Sequence, residues 1–296
     1  MHRFFLAPDD WSAATLTDSE AHHARSVLRM QPGDRAVLFD GRGREGTAEI
    51  VSLDSGAVQL RVLQEAVTPP LRARITLAQA IPKGKNMDLI VQKAVEIGAA
   101  EIFPLLSDRT VVQLDPESAA QKQAKWQTVA LEAAKQCGQN WLPHVHQPRT
   151  PNDFFRELES GAAGVAAGVS PANPSASPAD REITNAVGDA APQRPTRAPL
   201  QRAERAHYDL RLIGSLQPGA QHLKKILADY AQGHDGAQPE RVLMLIGPEG
   251  DFTPAEIALA RSQGCAPLTL GPIILRVETA AIYCLSILSY ELLGER

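Results

Sequence analysis

The sequence predicts an α/β protein in which a parallel-sheet domain follows a smaller β-rich one. Three observations lead there. Short alternating runs separated by glycine turns occupy the chain before Val67, strand and helix patterns alternate from Arg74 onward, and two glycine-proline loops end neighbouring apolar runs near the C-terminus. A chain of 296 residues is long enough for two such units, each with its own core.

The N-terminal elements come first. RAVLFD, GTAEIVSLD and AVQLRVL alternate apolar and polar positions and are divided by Gly-Arg-Gly and Asp-Ser-Gly turns, the pattern of an antiparallel sheet. AVTPPLRA follows, and its adjacent prolines disfavour both helix and central strand, so the division falls near Thr68, giving domains over 1–68 and 73–296. From there RITLAQA reads as strand, NMDLIVQKAVEIG as helix, EIFPLL as strand and the stretch through KWQTVALEAAKQCG as a long helix. In the first helix Asn86 is placed to cap, Met87, Ile90, Val91, Ala94 and Val95 recur at helical spacing, and Gly98 suits a left-handed stop. YDLRLIG, RVLMLIG and APLTL are further strands. The last element, Ala280 to Leu293, is apolar nearly all round and reads as a buried helix, packed in the core or against another subunit.

Between Gly161 and Ala206 the chain is rich in alanine and proline and holds no aromatic residue. It cannot build a core, and ordered patterns flank it, so it reads as a flexible insertion at about 161–206 inside the second domain, with a linker between domains as the rival.

Composition narrows the class. Apolar residues at 44% and charged residues at 22% are ordinary for a globular protein, and a net charge of −4 advertises no polyanion partner, although a local basic face remains open. Cys137, Cys265 and Cys284 are far apart with no CxxC pair, which predicts no metal and fits a reducing cytoplasm. MHRFFLAPDDW lacks a signal-peptide core, and TAAIYCLSILSY is too short to span the roughly 30 Å hydrocarbon layer, so no membrane association is expected.

The chemistry concentrates between Arg241 and Tyr283. The apolar run Val242–Ile246 ends at Gly247-Pro248-Glu249-Gly250, and the next helix is announced by Thr253 as cap, Pro254 at the first helical position and Glu256 completing a capping box. Glycines let backbone groups approach a ligand closely. Phosphate fits poorly, since the loop carries Glu249 and Asp251, has no Lys and matches neither phosphate-loop pattern. An adenine compound without phosphate, such as S-adenosylmethionine, fits better. LGPIILRVETA repeats the arrangement after the next strand, so that two loops can close on one adenosine. Arg276 and Glu278 follow at once, and read equally as a surface ion pair.

These residues resemble the RsmE-type 16S ribosomal RNA uridine-N3 methyltransferases of the SPOUT superfamily. The likeness runs through MHRFFL, EAHHARSVLRMQPGDRAVLFDGRG, IPKGKNMDLIVQKAVEIGAAEIFPLLSDRT, EAAKQCGQNWLP, LIGPEGDFTPAEI and LGPIILRVETA, leaving out the stretch from about 161 to 206. It implies a PUA-like β-barrel for RNA at the N-terminus, a C-terminal α/β domain with a deep trefoil knot, a homodimer, and S-adenosylmethionine held by Leu245, Ile246, Gly247, Pro248, Glu249 and Gly250 together with Leu268, Leu270, Gly271, Pro272 and Leu275. The substrate it implies is one uridine of 16S rRNA in the small ribosomal subunit. The chain departs from the family in carrying Asp251 where a second glycine is usual, Ile273 where arginine is common, and Gln139 where arginine is common.

Methylation at uracil N3 removes an imide proton while the nitrogen attacks the methyl group, so alignment and charge stabilisation are the protein's tasks. Arg276 is the candidate for stabilising the uracil anion. Glu278 either orients Arg276, accepts the proton or favours the N-terminus of the last helix. For RNA, the candidates are Arg3, His23, Arg25, Arg29, Arg42 and Lys83, with Arg25 and Arg29 on one face of a helix capped at Asp18 or Ser19; a solvated charged face is the competing reading. Methylation at another rRNA or tRNA site, and a noncatalytic RNA-binding assembly factor, are the alternative functions.

Overall fold

The computed structural model describes residues 1–54, 56–112, 114–160 and 208–294. The expected insertion lies outside the described residues.

The chain begins with strand β1 (His2–Phe5), followed by β2 (Thr15–Thr17), the short helix α1 (Asp18–His22), β3 (Arg35–Phe39), β4 (Arg44–Leu53) and β5 (Ala57–Val67). They form one sheet in the order β1-β3-β4-β5-β2. Phe4, Leu6, Trp11, Leu16, Leu38, Ile50 and Val58 fill its core. Register shifts between Thr47 and Ala48 and between Ile50 and Ser52 curl the two long strands. The expectation of an antiparallel barrel is met only in part: β1 pairs parallel with β3, and among the described residues no ladder joins β1 to β2, which leaves a curled open sheet.

The helix expected to carry Arg25 and Arg29 on one face stops early. Thr17 precedes it as the N-cap without a side-chain bond, so neither Asp18 nor Ser19 caps. After His22 the chain widens into a π-turn over His23–Val27, closed by Leu28 N–H donating to His23 O at 3.0 Å, and Arg29 then adopts φ +54°. The extra residue in the turn and the left-handed break destroy the four-residue spacing, so the two arginines share no helix face.

The second sheet is wholly parallel. Its strands β6 (Arg74–Ala80), β7 (Ala99–Leu105), β8 (His144–Val145), β9 (Leu210–Gly214), β10 (Arg241–Ile246) and β11 (Ala266–Leu268) lie in the order β11-β9-β10-β6-β7-β8. Helices α2 (Asn86–Ile97), α3 (Pro116–Cys137), α5 (Leu223–Gly233) and α7 (Val277–Leu292) cover one face, and α4 (Pro151–Ser160) and α6 (Pro254–Ser262) the other. Burial on both faces explains the unbroken apolar run of Val242 to Ile246.

Two helix-start expectations come out differently. Thr253 and Glu256 form the full capping box of α6, with Pro254 beside the cap. Lys85, however, occupies the N-cap of α2, and Asn86 is its first helical residue; the Asn86 amide donates instead to Glu278 of α7 at 3.2 Å. Gly98 ends α2 at φ +95° as expected. Helix α7 is not buried all round. Ala281, Cys284, Leu285, Leu288 and Leu292 enter the core, while Thr279, Tyr283, Ser286 and Tyr290 recur on the open face.

The sheets meet where the Gly41–Gly43 turn crosses the segment after α3. Gly43 donates to Asn140 O at 2.9 Å, Leu142 to Gly41 O at 3.0 Å and Thr68 to Gly43 O at 2.8 Å. A Cβ at Gly43, which has φ +96°, would stand 2.6 Å from Thr68 O and 2.8 Å from the Trp141 ring, so only glycine fits. Lys135 of α3 closes the junction on Glu20 of α1 at 2.5 Å, both nearly buried.

Candidate functional site

Strand β9 lies between β11 and β10, so the loops leaving β10 and β11 flank the end of β9 on either side. The three strand ends enclose a cleft of about 440 Å³. Ile246, Gly247, Pro248 and Glu249 line it from one loop, and Leu270, Gly271 and Leu275 from the other, with Arg276 and Glu278 at the start of α7. The remaining expected residues stand differently. Leu245 and Leu268 are buried in their strands beneath the cleft, and Gly250 and Pro272 lie on exposed turns outside its lining.

Residues outside the expected cofactor set complete the cleft. Gly214, Ser215 and Leu216 supply the middle wall from β9, Asn86 reaches in from α2, and Asp251, Ile273 and Ile274 complete the loops. The glycine at the end of YDLRLIG was an available signal for the first of these, because it repeats the strand-to-glycine pattern of RVLMLIG. A Cβ there would meet Ile246 Cδ1 at 3.3 Å.

The first loop is tied from behind. Glu249 Oε1 accepts from Lys83 N–H at 2.8 Å, and Asp251 N–H donates to Pro248 O at 2.9 Å. The Arg109 guanidinium donates to Gly250 O. Below it, the capping carboxylate of Glu256 also accepts from Asp108 N–H at 2.9 Å and from the Ser107 hydroxyl at 3.2 Å, so one buried side chain fastens α6 to the turn after β7. Chain position gave no sign of Arg109 or Ser107 as parts of this region.

Arg276 is exposed and sits at the N-cap of α7 without a side-chain capping bond. Glu278 is in the first turn, where a carboxylate is favoured by the helix dipole, and is held by Asn86. Among the described residues no ion pair joins Arg276 to Glu278.

The cleft fits an adenosine compound that bears a cation. Its walls combine glycine backbone with Ile246, Leu270, Leu275 and Val277, its carboxylates are Glu249, Asp251 and Glu278, and its one basic side chain is Arg276. Adenine is taken by apolar walls and backbone groups, whereas a polyphosphate would meet three acids. Thiol chemistry is absent here: burial pushes Cys265 and Cys284 up to about 12, and neither lines the cleft. Among the described residues no group of three or more His, Cys, Asp or Glu side chains could hold a metal ion.

The basic residues expected to meet RNA do not form one cluster: Arg3, His23 and Arg42 lie by the junction, whereas Lys83 stands behind the first cleft loop. Arg3 and His23 border an open polar groove of about 460 Å³ together with Lys135 and Gly138. The Arg3 guanidinium is engaged internally, by Glu45 at 2.7 Å and Asn140 at 2.6 Å, and His23 packs edge-on against Phe4. Arg25 is half-buried with a partner of its own, while Arg29, Arg42 and Lys83 are exposed. Arg42 is fixed through its backbone, which donates to Asp40 Oδ1 at 2.7 Å.

A parallel sheet with a ligand-sized cleft at its strand ends, joined to a curled second sheet, defines the class of α/β proteins whose small-molecule sites lie at the carboxyl ends of the strands. A family model described as an RNA methyltransferase domain matches residues 69–188 and 196–289, and one described as an RNA methyltransferase PUA domain matches residues 16–63. The chain belongs to this RNA methyltransferase family, in line with the resemblance read from its motifs. It is 26% identical over 278 residues to ribosomal RNA small subunit methyltransferase E of Bacillus subtilis, covering 94% of this chain and 90% of the relative. To the Synechocystis protein of the same name it is 29% identical, covering 96% and 76%. Two solved structures superpose with TM-score 0.71 over 98% of each chain: ribosomal RNA small subunit methyltransferase E of Neisseria gonorrhoeae bound to S-adenosyl methionine, at 26% identity, and a methyltransferase of Legionella pneumophila in complex with the cofactor SAM, at 29%.

Proposed function

We propose that this protein methylates N3 of a uridine in the 16S rRNA of the small ribosomal subunit, with S-adenosylmethionine as donor. The observation that carries the proposal is the meeting of both glycine-proline loops on one cleft whose mouth holds Arg276 and Glu278. The relatives named as small-subunit rRNA methyltransferases support the substrate.

When bound, S-adenosylmethionine supplies an electrophilic methyl group. The chain does the rest. Backbone groups of Gly247 and Gly271 and the apolar side chains of Ile246, Leu270 and Leu275 hold the adenosine, with Leu245, Pro248, Glu249, Gly250, Leu268 and Pro272 shaping the loops. Arg276 faces the uracil oxygens and favours the N3 anion, and Glu278, oriented by Asn86, receives the N3 proton. Arg276→Ala is expected to abolish methyl transfer to 16S rRNA while calorimetric affinity for S-adenosylmethionine stays within about twofold; retained turnover would remove Arg276 from the chemistry.

The organisation proposed around this site is a PUA-like unit over 1–68 and a methyltransferase unit over 73–296, with the chain after β10 knotted through the segment that crosses β9. The order β11-β9-β10 supports such a crossing. RNA would lie across His23, Arg25, Arg29, Arg42 and Lys83, with Arg3 bordering the groove. The exposed face of α7 with Tyr283 and Tyr290 suits a second copy of the chain in a homodimer, and free thiols suit the cytoplasm. Mapping methylated uridines in rRNA from a strain lacking the protein, against its parent, tests the function. Loss of one 3-methyluridine from 16S rRNA is expected; a change confined to 23S rRNA or tRNA, or no change, would overturn the assignment.

A further inference from the structure

We infer that Asp251 recognises the positive charge of the methyl donor, so that the cleft selects a cationic adenosine compound over a neutral one of the same shape. This rests on the S-adenosylmethionine reading above.

The backbone supplies the first observation. Asp251 has φ +61°, a left-handed conformation that costs a side-chain-bearing residue about 1 kcal/mol and tends to be kept where a ligand site needs it. The other non-glycine residues with positive φ, Ala14, Asp18, Arg29 and Asp235, do not line the cleft.

Its carboxylate is half used. Oδ1 accepts from Phe252 N–H at 2.8 Å, whereas Oδ2 has no hydrogen-bond partner among the described residues. The same Oδ1 would lie 3.2 Å from a Cβ at Gly247, so the acid stands directly over the glycine of the ligand loop. The other cleft acids are differently placed: Glu249 is drawn to Lys83 N–H and Glu278 to Asn86. Asp251 has no cationic partner within salt-bridge distance among the described residues, and it lines the cleft, so its charge is available to a cation bound there.

S-adenosylmethionine offers two cations, its sulfonium and its ammonium. S-adenosylhomocysteine keeps only the ammonium, and 5′-methylthioadenosine has neither, which makes the three a graded set of probes. Asp251→Asn preserves shape, tolerance of the left-handed backbone and the bond to Phe252 N–H, and removes the charge.

Calorimetric titration of the full chain with each probe is the test. Asp251→Asn is expected to weaken S-adenosylmethionine about tenfold, the scale of one charge-assisted hydrogen bond, and to leave 5′-methylthioadenosine unchanged. Asp251→Gly is expected to behave alike. Unchanged S-adenosylhomocysteine binding assigns the sulfonium as the group recognised, and an equal loss assigns the ammonium. Unaltered S-adenosylmethionine binding in Asp251→Asn, or an equal loss for 5′-methylthioadenosine, overturns the inference, as does an effect seen in Asp251→Gly alone. Wild-type protein that binds none of the three overturns the cofactor reading itself, an outcome distinct from failure at Asp251.

Discussion

The two loops that face each other across the cleft are built on opposite plans. Gly247–Asp251 is braced by groups from three other parts of the chain: Lys83 N–H on Glu249, Arg109 on Gly250 O, and Glu256 fastening the helix behind it to Ser107 and Asp108. The second loop has Gly271 N–H donating to its own neighbour Thr269 at 3.3 Å, and among the described residues Pro272 to Leu275 make no hydrogen bond. Ile273 and Ile274 are 72% and 77% exposed. One wall is thus braced along its length, whereas the other is anchored at its start, by Thr269 N–H on Gln221 O at 3.0 Å and Leu270 against the core, and leaves Ile273 and Ile274 uncovered. Such an arrangement places the cost of ordering on the side where the substrate enters.

The strongest way to break this contrast is to disturb the rigid wall from inside. A Cβ at Gly247 would approach Phe252 N to 3.1 Å and Asp251 Oδ1 to 3.2 Å, so Gly247→Ala must shift the brace or the loop. We expect S-adenosylmethionine affinity to fall by more than about tenfold in calorimetry, with the fold retained by circular dichroism. Glu256→Ala leaves the Thr253 cap but removes the buried acceptor of Thr253 N–H, Asp108 N–H and the Ser107 hydroxyl, and should cost about 2 kcal/mol in denaturant unfolding. If stability holds, the brace is not what makes the first wall rigid.

Subtler changes sharpen the comparison. Arg109→Ala leaves the core intact and should weaken cofactor binding by a few fold, with a midpoint of unfolding inside about 0.5 kcal/mol of the parent. Smallest of all, Ile273→Ser with Ile274→Ser should leave stability near the parent value in denaturant unfolding, since the free chain buries neither side chain; a large drop would mean that the second wall is already packed.

Acid supplies a control away from both loops. His144 and His146 sit beside Glu101 at the β8 edge, and burial holds the His144 imidazole down to about 4 and lowers His146 as well. The unfolded chain takes up protons at these rings below its ordinary value of 6.5 while the fold resists. Their contribution is therefore complete above about pH 6.5 and declines as pH falls toward about 4. Denaturant midpoints across that window should drop in the parent and drop less in His144→Asn.

Local chemistry made the first loop legible. Thr253, Pro254 and Glu256 announce α6 within four residues, and the apolar run before Gly247 fixes β10. The brace was hidden because its partners are remote in sequence: Lys83 and Glu249 are 166 residues apart, and Arg109 and Gly250 are 141. Asn86 was misread as a cap for the same reason, since its partner Glu278 lies 192 residues on. The third wall at Gly214 was readable but overlooked. The curled sheet was misjudged because MHRFFL is too short to announce that its strand runs parallel to β3. In the Arg25–Arg29 segment a helical spacing was inferred from identity alone, and the π-turn overrode it.

The absence of any space for a Cβ at Gly43 reaches beyond local packing. Three backbone hydrogen bonds lock the 41–43 turn to Asn140, Leu142 and Thr68, and Lys135 spans to Glu20 nearby. With no free hinge there, the curled sheet and the cleft are held at one separation and one bearing.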